Sequence, residues 1–369
     1  MTDSQAGYAA LVQSLDGRGL LSPVWRDVWE RTPRSRFIPG RIWRQGPQRC
    51  EPVTADADRW RLVHSDEPVV TQVDDGQEGG PGVATSSNSM PSMVARMLGL
   101  LEVRDGDTVL EIGTATGQVA ALLSARLGDR HVTSVEIDPS LSAQAERNLA
   151  ACGHSPTLVV ADGEQGFPAR APYDRLIVTC ALRHVPYGLV RQVKPGGVIV
   201  APLARDFWSG ALVQLTVRRD GTARGRFRGG ASYMPMRSHR AGGGGAAVDP
   251  TSPRSRWTTG PGPRALLTLP FALYAGARMP GVSLVAGADA GGGGEVRVWL
   301  RDGDRSGAVA DAESVTEFGP RDLWAEVARV HAEFARLGGP AVSDFGLTVS
   351  SAGDQVWLRA PEGVIRAAG

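Results

Sequence analysis

Lysine is almost missing from these 369 residues: Lys194 is the only one, and arginine supplies the rest of the 40 basic side chains. Against 39 acidic residues this leaves a formal net charge of +1. No global basic field is available for nucleic acid, and no acidic field for cations. The lysine shortage, beside heavy Ala and Gly usage, reads as codon bias in a GC-rich gene. Cysteine is scarce too. Cys50, Cys152 and Cys180 are an odd number without CxxC or Cys/His spacing, which argues against a disulfide framework and a structural zinc. No uninterrupted apolar run reaches the roughly 18 residues of a membrane span. The first residues, Met1 to Gln5, have neither a basic nor an apolar stretch, so the expectation is a cytoplasmic protein.

What is present is an ordinary globular composition, 42% hydrophobic and 21% charged, over a length that favours two domains. Tyr8, Leu11, Val12 and Leu15 repeat at helical spacing. A second helix is expected to start at Ser22 as N-cap with Pro23 first, placing Trp25, Val28 and Trp29 on one face. Ala55 to Ser89 is polar and Gly-rich and reads as hairpins and loops. Pro91 then opens a helix carrying Met93, Val94, Met97 and Leu98.

From Asp107 apolar strands alternate with helices, the pattern of a parallel sheet buried on both faces. Expected strands are 108–112, 131–137, 157–160, 175–178 and 198–201, with helices over 118–127, 141–150 and 187–193. A hairpin turns at Asp220-Gly221. Ser238 to Pro263, with four glycines at 242–245, reads as a linker. Beyond it, strand-like pieces (283–286, 295–300, 355–358) and a helix with Leu323, Trp324, Val327, Val330, Phe334 and Leu337 on one face make a small α+β domain. The expected division is 1–100, N-terminal helices and a loop at the site; 101–237, a Rossmann-like core; 238–263, a linker; and 264–369, an accessory domain.

The strongest local signal is Val109-Leu110-Glu111-Ile112-Gly113-Thr114-Ala115-Thr116-Gly117, a strand, a Gly-rich turn and the start of a helix. The next strand ends in Glu136, where an acid commonly meets ribose hydroxyls, and the third is followed by Asp162-Gly163. An NAD site is one reading, but G-x-G-x-x-G spacing fails because only Gly113 and Gly117 are present. Glu111 is hard to explain as structure, since buried parallel strands rarely carry a carboxylate. Beside a ligand bearing an ammonium group it makes sense. A purely structural glycine turn is the plainer alternative.

The Val109–Gly117 segment resembles the glycine-rich first motif of the protein-L-isoaspartate O-methyltransferases. So do Ala161 to Gly166 followed by Ala171-Pro172-Tyr173-Asp174, Val178 to Ala181 with Val185-Pro186, and Val193 to Gly197. Upstream, Pro33 to Pro39 is similar to that family's arginine-and-proline segment, and Thr85 to Pro91 to its serine loop. Tyr233 to Met236 resembles its last strand. The resemblance runs from about residue 22 to 237. It implies a Rossmann-like fold with S-adenosyl-L-methionine as cofactor. It places Ser87, Glu111, Gly113, Thr114, Ala115, Thr116, Gly117, Glu136, Asp162, Gly163 and Thr179 at the cofactor, and Ser89 beside the acceptor carboxylate, with no metal. The plainer reading of Ser89 is a helix cap before Pro91. Two departures stand out: Ala115 replaces the middle glycine, and Gly76 to Ala84 lengthens the approach to the serine loop.

The implied partner is a peptide or protein bearing aspartate or isoaspartate, with no nucleic acid and no membrane; oligomeric state is open. Two enzymatic versions fit, general isoaspartyl repair and methylation of a dedicated ribosomally made peptide. The added C-terminal third favours the second. A module that binds cofactor or partner without catalysis is the remaining alternative. Among other candidates, His184 is a possible lining residue, and the basic stretch from Arg224 to Arg240 is a solvated face or an attractant for acidic peptide.

Overall fold

The computed structural model describes residues 3–46, 48–240, 253, 255–257, 260–288, 296–303 and 305–368. The four glycines at 242–245 and most of the expected linker lie outside these residues. Among the described residues no helix is long and apolar enough to cross a membrane.

The central strands are covered on both faces, as every residue of Val109–Ile112 and Val132–Glu136 is buried. The parallel strands lie in the order Thr157–Val160, Val132–Glu136, Val109–Ile112, Tyr173–Val178 and Val193–Arg205. The chain therefore steps outward one way from Val109–Ile112 and then returns to its other side. That reversal opens a crevice at the carboxyl ends of the strands, where α/β sheets hold ligands. The register sets Glu111 beside Ser134 and Ile177, and Glu136 beside Val160. Helix Gln118–Leu127 has its expected limits, and helix Pro139–Ala151 is capped by Asp138, whose carboxylate accepts from Ser140 N and Leu141 N.

In the N-terminal part, helices Asp3–Gly17 and Pro23–Arg31 are joined by Tyr8, whose hydroxyl donates to the carbonyls of Trp29 and Thr32. Ser22 caps the second helix as the sequence predicts. The stretch 55–89 holds more than hairpins and loops: Asp56–Val63 is a helix. Asp56 and Asp58 in its first turn suit the helix dipole, and Leu62 and Val63 are buried. The strands of this region, Val69–Val73 and Ala84–Asn88, join Trp43–Gln45 and Cys50–Pro52 in a four-stranded antiparallel sheet.

The chain divides into two compact units at places other than the expected boundaries. One comprises 1–180, 186–201 and 216–221, and the other 181–185, 202–215 and 222–369. The N-terminal helices thus belong with the parallel core, whereas residues 222–237 go with the C-terminal third. The reason is backbone pairing: strand Ala223–Gly230 is antiparallel to Phe345–Ser350, which pairs in turn with Gly353–Leu358. The second unit also holds a five-stranded antiparallel sheet, in the order Ser255–Trp257, Val315–Phe318, Ser306–Ala310, Val296–Asp302 and Val282–Ala288. Helix Leu323–Arg336 buries Leu323, Trp324, Val327 and Val330 and meets helix Leu269–Arg278 through Phe334 against Phe271 and Tyr274. Tyr233 to Met236 is no strand; it makes one isolated bridge, Ala181 to Pro235, where the proline offers no N–H to extend a ladder.

The basic stretch is largely committed to structure. Arg226 donates to the carbonyls of Ser343, Asp344 and Arg359 and lies over the Trp357 ring, and Arg228 donates twice to Gln214 Oε1.

Candidate active site

Glycine is required at the turn for reasons the geometry makes plain. Gly113 has φ +97°, and a Cβ there would come within 2.7 Å of Thr179 Oγ1. Gly117, at φ +86°, starts helix Gln118–Leu127 and lies against Ala145 and Leu149. Between them Ala115 holds φ +48°, a left-handed conformation that an L side chain rarely adopts. Its N–H donates to Glu136 Oε2 at 2.8 Å, so the acid ending the next strand locks the turn. The other oxygen of Glu136 accepts from Asp138 N at 3.1 Å. Thr179 fastens the third side, its hydroxyl donating to the carbonyls of Gly113 (2.6 Å) and Ile112 (3.1 Å).

The turn opens on a pocket. The pocket gathers eight of the twelve expected site residues. Ser87 and Ser89 come from the serine loop and Glu111 from the strand. Gly113, Thr114, Ala115 and Thr116 come from the turn, and Thr179 from the neighbouring strand's end. Gly117, Glu136, Asp162 and Gly163 are not in its lining. Asp162 instead accepts from Glu164 N and begins a short 3-10 turn. Desolvation, then the negative charge of Glu136 and Asp162, push the Cys180 thiol up to about 12.

Glu111 is fully buried. Ser134 donates to its Oε2 at 2.7 Å and is itself 2.6 Å from Thr114 Oγ1, whereas Oε1 has no hydrogen-bond partner among the described residues. Burial, with Glu136 nearby, raises its carboxyl to about 8, against the lowering effect of the Ser134 hydrogen bond. A buried acceptor without a partner is costly, and a cationic ligand group relieves both the missing bond and the desolvation.

Ser89 is not a helix cap. The N-cap of helix Pro91–Leu101 is Met90, with no side-chain cap, and the Ser89 hydroxyl has no partner among the described residues. What holds its loop is Arg34, wholly buried yet facing carbonyls rather than a carboxylate. Arg34 Nη2 donates to the carbonyls of Glu67 (2.6 Å), Asn88 (3.2 Å) and Ser89 (3.2 Å), and Nε to Asn88 Oδ1 (2.6 Å). Burial lowers its guanidinium to about 10. Asn88 passes the constraint on, Nδ2 donating to Thr116 Oγ1 at 2.9 Å, which ties the serine loop to the glycine turn. The lengthened approach is a closed hairpin, in which the Asp74 carboxylate accepts from Gly82 N and Val83 N.

The Pro33–Pro39 and Thr85–Pro91 resemblances mark the segments of Arg34 and Asn88 but not their roles, since their side-chain partners lie 28 or more residues away. Gln118, which also lines the pocket, was hidden as the first residue of an expected helix. His184 stacks on His239 with ring centroids 4.6 Å apart, and His239 Nδ1 accepts from Arg183 N, so structural contacts account for that pair.

A doubly wound parallel sheet, a glycine turn at its switch point, a buried acid on the first strand and another ending the second define a Rossmann-like ligand-binding fold. A family model described as protein-L-isoaspartate(D-aspartate) O-methyltransferase matches residues 55–241. The chain is 36% identical over 239 residues to the protein-L-isoaspartate O-methyltransferase of Thermococcus onnurineus, covering 64% of this chain and 96% of that one. It is 33% identical over 216 residues to the Pyrococcus horikoshii protein of the same name, covering 57% and 93%. This chain belongs to the protein-L-isoaspartate O-methyltransferase family. It is a methyltransferase of the family whose cofactor is S-adenosyl-L-methionine. A solved structure titled protein-L-isoaspartate O-methyltransferase shares the fold with a TM-score of 0.57 at 20% identity, covering 96% of this chain and 100% of that one.

Proposed function

We propose that this chain esterifies the free carboxylate of isoaspartyl or aspartyl residues in peptides and proteins, with Ser89 orienting the acceptor. The observation that carries the reading is the pairing, in one pocket, of the unpartnered Glu111 Oε1 with the unengaged Ser89 hydroxyl. When bound, S-adenosyl-L-methionine supplies a methyl group on a sulfonium and an amino-acid end whose ammonium suits Glu111. Gly113, Thr114, Ala115 and Thr116 offer the turn against which it rests, held in shape by Thr179 and Glu136. Ser87 flanks the turn from the serine loop. Gly117 at the turn and Asp162 and Gly163 beyond the third strand are proposed as further cofactor contacts.

A carboxylate is ionised at neutral pH, so the acceptor needs no general base. The protein's work is alignment and exclusion of water. Ser89 donates its hydroxyl hydrogen to one carboxylate oxygen, and Arg34 and Asn88 fix where that hydroxyl stands. In the ester product the following backbone nitrogen displaces methanol to close a succinimide, which water opens to aspartate or isoaspartate.

A dedicated ribosomally made peptide is the narrower version. Its ground is the C-terminal third, although a solved structure of the same fold also aligns over 96% of this chain. General isoaspartyl substrates, supported by the matching family model and the curated relatives, are the broader reading. The three free cysteines fit a reducing, cytoplasmic setting. The test is mass spectrometry of methyl ester formation on matched isoaspartyl and aspartyl peptides. Turnover on unrelated isoaspartyl sequences is expected, and strict dependence on one sequence would restore the dedicated reading.

A further inference from the structure

Two residues lining the pocket each carry a buried polar atom without a partner among the described residues, and the two atoms are of opposite kind. Glu111 Oε1 is an acceptor, and Gln118 Nε2 is a donor, on a residue only 4% exposed. Proteins rarely leave such groups unsatisfied without a functional reason. Of the other lining residues, Val94 and Val119 offer no acceptor side chain, and Asn88 is already engaged with Arg34 and Thr116. Gln118 is also the first residue of a ten-residue helix, where backbone N–H groups and the helix dipole favour negative charge. The donor therefore stands where an anion is favoured and no acceptor is provided among the described residues.

We infer that Gln118 is a carboxylate-binding residue of this pocket, its amide N–H taking a carboxylate oxygen as Glu111 takes the cation. This rests on the methyltransferase reading above. Two carboxylates enter such a site, the α-carboxylate of the cofactor and the acceptor carboxylate of the peptide, and both present the same chemistry to an amide donor. A neutral amide suits this place better than arginine. It binds a carboxylate without adding a fixed charge beside Glu111, whose own ionisation answers to the ligand.

The experiment compares the full-length protein with Gln118→Met, which keeps length and helix preference but deletes the donor, and Gln118→Glu, which sets a carboxylate against a carboxylate. Calorimetry is run with S-adenosylhomocysteine and with 5′-methylthioadenosine, which lacks the amino-acid end; KM is measured for an isoaspartyl peptide. Loss of a hydrogen bond to a charged group predicts that Gln118→Met weakens one carboxylate partner by about 10-fold or more. Gln118→Glu is expected to weaken it further. A loss confined to S-adenosylhomocysteine assigns the cofactor's carboxylate. A raised KM with unchanged S-adenosylhomocysteine affinity assigns the acceptor's. The thermal midpoint of Gln118→Met should not fall, because an unpartnered donor has been removed; a fall with equal losses for 5′-methylthioadenosine would mean a structural role and overturn the inference. Unchanged affinity and KM in both variants would overturn it as well. Failure of the unsubstituted protein to bind S-adenosylhomocysteine would instead overturn the reading beneath it.

Discussion

The glycine turn at 113–117 and the serine loop at 84–90 face the same pocket but are built in opposite ways. The turn is made by its own backbone: two glycines at positive φ, a strained alanine, and clamps from the ends of adjacent strands. The loop is held by one buried arginine more than fifty residues upstream in sequence. Local construction tolerates small changes, each affecting one dihedral or one bond. Remote construction concentrates the loop's order in a single side chain.

The largest effect should therefore follow Arg34→Leu. It leaves the Asn88 amide oxygen and the carbonyls of Asn88 and Val63 short of donors, and each orphaned buried group costs about 1–3 kcal/mol. Urea unfolding should record a loss of about 3 kcal/mol or more, and Arg34→Lys should recover little because an ammonium lacks the planar fork. A variant of undiminished stability would erase the contrast between the two regions.

Next comes Ser89→Ala. Turnover on an isoaspartyl peptide should drop by about 10²-fold, the usual cost of one well-placed donor, with S-adenosylhomocysteine affinity unchanged. Equal turnover would remove Ser89 from the reaction and leave the loop a wall.

Glu111 gives the turn side a pH signature. With its carboxyl raised to about 8, the folded ligand-free protein holds a proton that the unfolded chain releases near pH 4.5. Stability contributed by this group is full below about pH 4.5 and is lost as pH rises through 8. Glu111→Gln should flatten that fall, overtaking the unsubstituted protein by roughly a few kcal/mol at pH 8. The same variant should abolish the proton released when S-adenosylhomocysteine binds at pH 7, measured by calorimetry in buffers of different ionisation heat. Identical pH profiles would put Glu111's proton outside the binding event.

The smallest effect is expected from Ala115→Gly, which removes the Cβ strain at φ +48°. A gain of up to about 1 kcal/mol should appear as a raised thermal midpoint, offset in part by the greater freedom of glycine when unfolded. A lowered midpoint would mean that the methyl group packs usefully.

The same contrast explains what could be read from the chain alone. Strands 109–112 and 157–160, helix 118–127 and the Ser22 cap were legible because each depends on near neighbours in sequence. Glu111 announced itself as a carboxylate in an apolar run. Arg34 did not, because its meaning lies in carbonyls at 67, 88 and 89 that only the fold assembles. Helix 56–63 was hidden by its polarity, since just two of its residues, Leu62 and Val63, are buried. The misplaced domain boundary has the same cause: pairing of Ala223–Gly230 with Phe345–Ser350 joins segments more than a hundred residues apart.

Asp354 makes that boundary a matter of inheritance. Its carboxylate accepts from Val185 N at 3.0 Å and from Arg205 at 2.8 Å, so a residue near the carboxyl end completes segments laid down in the first two-thirds of the chain. A gene shortened to the length of the smaller relatives would not yield a trimmed enzyme. It would take their shared carboxylate from the Val185 amide and the Arg205 guanidinium, so the end of the chain is part of how these earlier segments are satisfied.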